Sequence, residues 1–342
     1  MNYIGIDHHK QYSHMTVMDE EGSIVKAGRV LNLRAEVEDF LGAVKQGSGA
    51  VIEAGRSSYT MADLLGEMGV EVTIAHPQEV KSIAHAWIKT DKRASEILAH
   101  LLRTDMVPGV YRRGKENREA QRVLRQRAWY VAALTGVKNR IRVLLAQQRE
   151  EAQQEASGFK KLFSREGLKF LKEVALPGTD KELLEALLKS YEHLEERIKE
   201  SDELVKRVHQ ELREAQRIDT VPGFAEFLSV LVAVEIADIK RFSRVESLHS
   251  YAGVIPSTHS SGQRSYHGKI IKAGNRWLRW ALVEAVWPAI TVDHDLRVFY
   301  ERLARRKGPN MAKVATARRL LTIIYKILKE GRAYVPYKRG GK

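Results

Sequence analysis

The chain opens on alternation. At 3–7 (YIGID) and again at 14–18 (HMTVM), apolar and polar side chains exchange every second position, the period of a half-buried strand. Strands are therefore expected over 3–6 and 14–18, the second closed by Asp-Glu-Glu-Gly, with a third over 22–31. The spacing then changes: Val37, Phe40, Leu41 and Val44 recur at helical intervals and predict a helix over 35–44. AVIEA at 50–54 reads as a short buried strand, 59–68 as a helix and 70–75 as another strand, after which Pro77 opens a helix through Val80, Ile83 and Ala84. From 115 to 156 the pattern is helical and basic, with Arg118, Arg122, Arg125, Arg127, Lys138, Arg140 and Arg142. Next comes a heptad seam of Leu184, Leu187, Tyr191, Leu194, Ile198, Ser201, Val205, Val208 and Leu212, with one polar interruption at Ser201. Such a seam suits a second copy of the chain or another helix of the same chain.

Val221-Pro222-Gly223 breaks this helix. The break resembles the turn of a helix-hairpin-helix, but Ala225 replaces the second glycine, so a plain helix stop is expected. An apolar stretch over 224–236 comes next, then a polar segment containing Ser260-Ser261-Gly262, expected as a loop before a basic helix. Trp277, Trp280 and Trp287 on that helix are expected in the core. Three antiparallel strands followed by helix-strand alternation resemble the ribonuclease-H-like fold in its RuvC-type version. The expected fold class is thus α/β plus α: a RuvC-like domain at 1–113, a basic helical and coiled-coil region at 114–217, and a mainly helical domain at 218–342.

Charge narrows the choice of partner. Among 342 residues, 57 Lys and Arg outnumber 43 Asp and Glu, for a net charge of +14. Such an excess favours a polyanion, nucleic acid before an anionic membrane surface, because phosphate contacts release counterions. The chain has no cysteine, which excludes disulfides, thiolate zinc sites and cysteine nucleophiles. No apolar run reaches the length of a membrane span, and Met1 leads directly into a strand. A cytoplasmic, nucleoid-associated location is expected.

Three acids stand out. Asp7 ends the first strand, Glu53 lies in the fourth, and Asp91 sits in KTDKRASEILAHLL, where a helix starting nearby would cap the same sheet edge. Each alone reads as an ordinary turn or cap residue. Gathered together they would repel one another unless a divalent cation neutralised them. Oxygen ligands without a His or Cys pattern point to Mg2+, with Mn2+ as the second choice, and to phosphodiester chemistry.

YIGIDHHK, VIEAGRSSYTMADLLGEMGVEVTIAHPQEVKSIA and KTDKRASEILAHLL together resemble the N-terminal domain of the insertion-sequence family 110 transposases, the bridge-RNA-guided DNA recombinases. VPGFAEFLSVLVAVEIADIKRFSRVESLHSYAGVIPSTHSSGQRSYHGKIIKAGNRWLRWALVEA resembles their second, serine-bearing domain. The resemblance implies an Asp-Glu-Asp-Asp set that binds Mg2+ and a serine that attacks DNA. Asp7, Glu53 and Asp91 match the first three acids, and Ala94 stands where the fourth belongs, which implies impaired activity. Glu96, two residues on, points elsewhere on a helix. Ser261 matches the nucleophile, with Ser260 as the alternative. Arg264, Lys269, Lys272, Asn275, Arg276 and Arg279, together with Arg122 and Arg125, are the expected nucleic-acid contacts. The resemblance further implies a covalent phosphoserine intermediate, a structured guide RNA, double-stranded target and donor DNA, and a homo-oligomer (dimer or tetramer) joined through the seam, with no membrane partner. Two other readings stay open: a RuvC-like structure-specific endonuclease that uses water, and a catalytically inactive nucleic-acid-binding protein.

Overall fold

A computed structural model of the chain describes residues 1–84, 90–148, 150–261, 264–270 and 274–336. It divides into two compact units, Met1–Arg113 and Gly114–Lys342.

The first unit runs β1 (Tyr3–His8), β2 (Tyr12–Met18), β3 (Ile24–Leu31), α1 (Arg34–Leu41), β4 (Gly49–Glu53), α2 (Ser58–Glu67), β5 (Glu71–Ala75), α3 (Pro77–Ala84), α4 (Asp91–Arg103) and β6 (Gly109–Val110). The strands form one sheet in the order β3-β2-β1-β4-β5-β6. β1, β2 and β3 are antiparallel, β1-β4-β5 are parallel, and β6 returns antiparallel to β5. Alternation sorts the side chains between two faces. Ile4, Ile6, Met15, Val17, Ala50 and Ile52 pack against Val37 and Leu41 of α1 and Met61 and Leu65 of α2. Val51 and Ala75 on the opposite face pack against Val80 of α3 and Leu98 and Leu101 of α4. Each such leucine contributes about 1.5–3 kcal/mol when fully buried, enough to dock a helix of three turns. β1 continues through His8, two residues past the expected end, so Asp7 lies within a strand rather than in a turn.

The second unit contains α5 (Lys115–Ala146), α6 (Glu150–Gly158), α7 (Arg165–Glu173), α8 (Gly178–Glu211), α9 (Arg213–Asp219), α10 (Glu226–Ile236), α11 (Val245–Ala252), the antiparallel hairpin β7 (Pro256–Ser261) and β8 (Arg264–Ile270), then α12 (Arg276–Val292), α13 (His294–Lys307) and α14 (Pro309–Glu330). The heptad seam of α8 is filled within the chain. Leu184 and Leu188 share a core with Ile141, Leu144 and Leu145 of α5, while Tyr191 and Val205 are buried further along. This corresponds to the alternative in which the seam packs on another helix of the same chain: α5 is long enough, and apolar enough on one side, to serve as a partner. Ser201 is buried without penalty because its Oγ donates to Arg197 O at 2.7 Å.

Ala120 and Leu124 of α5 and Val205 of α8 also join the core built by α10, α12 and α14, so the long helices of 114–217 share an interior with the C-terminal ones. At the Val221-Pro222-Gly223 break, Gly223 has φ +92°, and a Cβ there would stand 2.3 Å from Ala285 O. The turn is therefore a close packing point against α12. Trp277 packs on the core, whereas Trp280 and Trp287 are 42% and 50% exposed, which corrects the expectation for those two. Among the described residues, no helix is long and apolar enough to cross a membrane.

Candidate active site

Asp7 and Asp91 are brought together by the docking of α4 across β1. Gly5 makes this approach possible, since α4 lies so close that a Cβ at position 5 would stand 1.9 Å from Ser95 O and 2.4 Å from Ala99 N. The helix is then fixed by polar contacts. Ser95, fully buried, shares its Oγ with His14 Nδ1 and Thr16 Oγ1 of β2, each at 2.8 Å. Thr90 caps the helix, its Oγ1 accepting from Arg93 N at 3.2 Å. Asp91 is consequently the first helical residue, where the helix dipole favours an anion.

Asp7, His9 and Asp91 form a close group, with one ligand atom from each lying within 4.8 Å of the others. His9 Nε2 is 3.2 Å from Asp91 Oδ2 and 3.5 Å from Asp7 Oδ2. Tyr12 donates its hydroxyl to Asp91 Oδ2 at 3.0 Å. Burial holds the Asp7 carboxyl above its ordinary value, and the Asp91 charge pushes it the same way against the pull of His9 and His14. Asp91 moves down, chiefly because the Tyr12 hydroxyl stabilises its charged form. The Asp91 charge thus disfavours charge on the partly buried Asp7, a cost that a divalent ion between them would relieve. A small hard cation holds its ligands about 2.1 Å away, hence about 3–4 Å from one another. The group is close to that span.

Glu53 follows Ile52, the residue of β4 that pairs with Ile6, so Asp7 and Glu53 stand at the same end of adjacent parallel strands. The Glu53 carboxylate is outside the close group. Ala94 sits on α4 three residues after Asp91 and offers only a methyl group, while Glu96 pairs with Arg93 at 3.5 Å. His9 was not among the residues expected here.

Ser260 and Ser261 lie on a strand, contrary to the expected loop: they pair with Ser265 and Arg264 across the β7-β8 hairpin. Polar residues fill this hairpin, so no apolar alternation announced it. Arg264 and Lys269 lie on β8, and Lys272 falls outside the described residues.

The hairpin is rooted on a buried polar centre. Glu235 of α10 is 1% exposed; it ion-pairs with Arg125 through Oε1 and accepts from Asn275 Nδ2 at 2.7 Å through Oε2. Asn275 Oδ1 in turn caps α12 by accepting from Trp277 N and Leu278 N, each at 3.0 Å. The Arg125 guanidinium also stacks 3.9 Å from the Trp277 ring. Arg125 and Asn275, expected on nucleic acid, are thus engaged in holding α5, α10 and α12 together. Arg279 donates to Ala252 O at 3.2 Å. Arg122 is 70% exposed, 3.5 Å from Glu119, and Arg276 is exposed beside Trp277.

Comparison with known proteins places both segments in one family of transposases. Residues 4–149 match the profile of the IS110-type DEDD transposase domain, and residues 215–301 match that of the transposase IS116/IS110/IS902 family. The chain is 26% identical over 336 residues to a transposase for insertion sequence element IS1111A from Coxiella burnetii, covering 97% of this chain and 90% of the relative. It is 24% identical over 315 residues to a transposase for insertion sequence element IS1328 from Yersinia enterocolitica, covering 89% and 86%. A pilin gene-inverting protein of Moraxella bovis is 29% identical over 126 residues, 35% of this chain and 38% of that protein. A sheet-based unit carrying juxtaposed carboxylates, a helical unit carrying a serine hairpin, and these two matched segments make the chain a member of the IS116/IS110/IS902 transposase family and a DNA transposase/recombinase.

Proposed function

We propose that the protein is a site-specific recombinase that cuts and rejoins duplex DNA through a phosphoserine intermediate at Ser261, guided by a structured bridge RNA. The observation that carries this reading is the convergence of Asp7 and Asp91 on a sheet of order β3-β2-β1-β4-β5-β6, which supports reading the first unit as ribonuclease-H-like. Asp7, Glu53 and Asp91 would hold Mg2+ or Mn2+, which when bound neutralises charge on a scissile phosphate. Ser261 Oγ attacks phosphorus; the bond from phosphorus to one DNA oxygen breaks, and the serine proton passes to that leaving oxygen. Rejoining is the reverse attack by a DNA hydroxyl, which returns the proton to Ser261. The phosphodiester count is conserved at both steps, so no external energy source is required.

In this reading Arg122, Arg264, Lys269, Lys272 and Arg276 contact phosphates, while Arg125, Asn275 and Arg279 maintain the scaffold beneath them. The acids and Ser261 belong to separate units, and they meet at one phosphate in an oligomer on DNA, where different copies supply them. Ala94 lowers the rate by removing a carboxylate from the cation.

The decisive experiment incubates the protein with labelled donor and target DNA, a candidate guide RNA from sequence flanking the gene, and Mg2+ or Mn2+. A denaturant-resistant protein–DNA adduct that is lost in Ser261→Ala and retained in Ser260→Ala is the expected result. Cleavage without an adduct would assign the endonuclease reading. Salt-sensitive binding without cleavage, even in Ala94→Asp, would assign a binding protein.

A further inference from the structure

We infer that His9 is a metal ligand that replaces the carboxylate this chain lacks at position 94, and that the site therefore favours Mn2+ over Mg2+. The inference rests on the proposed metal-dependent function and specifies what is peculiar to this chain.

Three histidines lie near the two aspartates, and their hydrogen bonds separate them. His8 is engaged at both ring nitrogens, Nδ1 with Ser13 Oγ at 2.8 Å and Nε2 with Ser57 Oγ at 2.9 Å. His14 is tied through Nδ1 to Ser95. His9 Nε2 differs: it is shielded from solvent and faces both aspartates at once, 3.2 Å from Asp91 Oδ2 and 3.5 Å from Asp7 Oδ2.

The ring is also held in place. His9 N donates to Tyr12 O at 2.9 Å, Asn32 Nδ2 donates to His9 O at 2.8 Å, and the His9 and Tyr12 rings pack at a 36° tilt with centroids 4.8 Å apart. Tyr12 then orients Asp91 through its hydroxyl. A single tyrosine thus positions two of the three ligands, the outer support that metal sites require. Glu96 is turned toward Arg93 and is not in the group. Replacing a carboxylate oxygen with an imidazole nitrogen removes one negative charge and adds a softer donor. Mg2+ is held by oxygen ligands, whereas imidazole suits transition metals, so selectivity moves toward Mn2+.

The test uses full-length protein loaded with Mn2+ and pulsed EPR, which registers a directly bonded 14N nucleus. The expected result is 14N coupling in the native chain, lost in His9→Gln, with Mn2+ affinity reduced about tenfold or more and Mg2+ affinity changed less. The double variant His9→Gln with Ala94→Asp should recover divalent binding without 14N coupling, and with its preference moved toward Mg2+. Far-UV circular dichroism and melting of each variant verify that the half-buried turn at His9 still folds. Bound Mn2+ lacking 14N coupling in the native chain, or coupling that survives His9→Gln, overturns the assignment of His9 and leaves Asp7 and Asp91 as an all-oxygen site. Absence of Mn2+ binding to the native chain overturns the assignment and the metal-dependent function with it.

Discussion

Gly5 and Ser95 are in contact through backbone: the space a Cβ at position 5 would require is occupied by the Ser95 carbonyl. This makes a residue with no chemistry of its own a determinant of where Asp91 stands relative to Asp7. Gly5→Ala must push α4 away from β1, separating Asp91 from Asp7. The expected loss is about 1–3 kcal/mol of stability or more, accompanied by weaker Mn2+ binding. Calorimetric melting and metal titration of the same variant measure both, and unchanged metal affinity would break the link.

Glu235→Ala should cost about 3–5 kcal/mol, because it leaves the Arg125 guanidinium beside an apolar core without its buried partner. Arg125→Ala should cost a comparable amount. The double variant should cost less than the sum of the two, as expected for residues of one network. Urea unfolding of the three proteins decides the matter; strict additivity would contradict the buried pairing.

Arg122 lies three positions before Arg125 but faces solvent. If it contacts phosphate, Arg122→Ala should weaken DNA binding without altering the melting temperature and should lower the slope of log affinity against log salt by about one. A variant that binds with the native slope would remove Arg122 from the interface.

His249 of α11 hydrogen-bonds Thr322 Oγ1 of α14 at 3.0 Å. Burial, followed by the neighbouring Arg318 cation, holds its ring below the ordinary histidine value. The unfolded chain therefore takes up a proton here before the folded chain does. The stability His249 contributes is complete above about pH 6.5 and declines as pH falls below that value toward the folded one. His249→Gln should flatten this part of the stability profile. Denaturant unfolding at about pH 7.5, 6.5 and 5.5 measures it, and parallel profiles for the two proteins would show that the proton is taken up elsewhere.

Local periodicity made the first unit legible. The alternation around Ile4 and Ile6 and the change to helical spacing at Val37 correspond to β1 and α1. Periodicity was silent where pairing is made by polar residues, so the serine hairpin read as a loop. It was equally silent about which helix fills a seam: Leu184 and Tyr191 specify an apolar stripe, and only the tertiary structure identifies α5 as the helix that covers it. The close approach of Asp7 and Asp91 depends on Gly5 admitting α4, a three-dimensional condition that no spacing rule contains. His9 escaped for a different reason: one imidazole near a strand end makes no ligand pattern until Asp91 is folded against it.

The arrangement around Glu235 bears on how a reactive hydroxyl is carried. Tyr251 of α11 donates to Glu235 O at 3.2 Å, Asn275 Nδ2 donates to Tyr251 OH at 3.1 Å, and Asn275 N reaches Tyr251 O at 2.7 Å. Tyr251 and Asn275, which lie before and after the β7-β8 hairpin in the sequence, are thereby tied to each other and to Glu235 of α10. If Ser261 carries a DNA end as proposed, the chain on either side of its hairpin is tied at Tyr251 and Asn275 to the interior of the second unit.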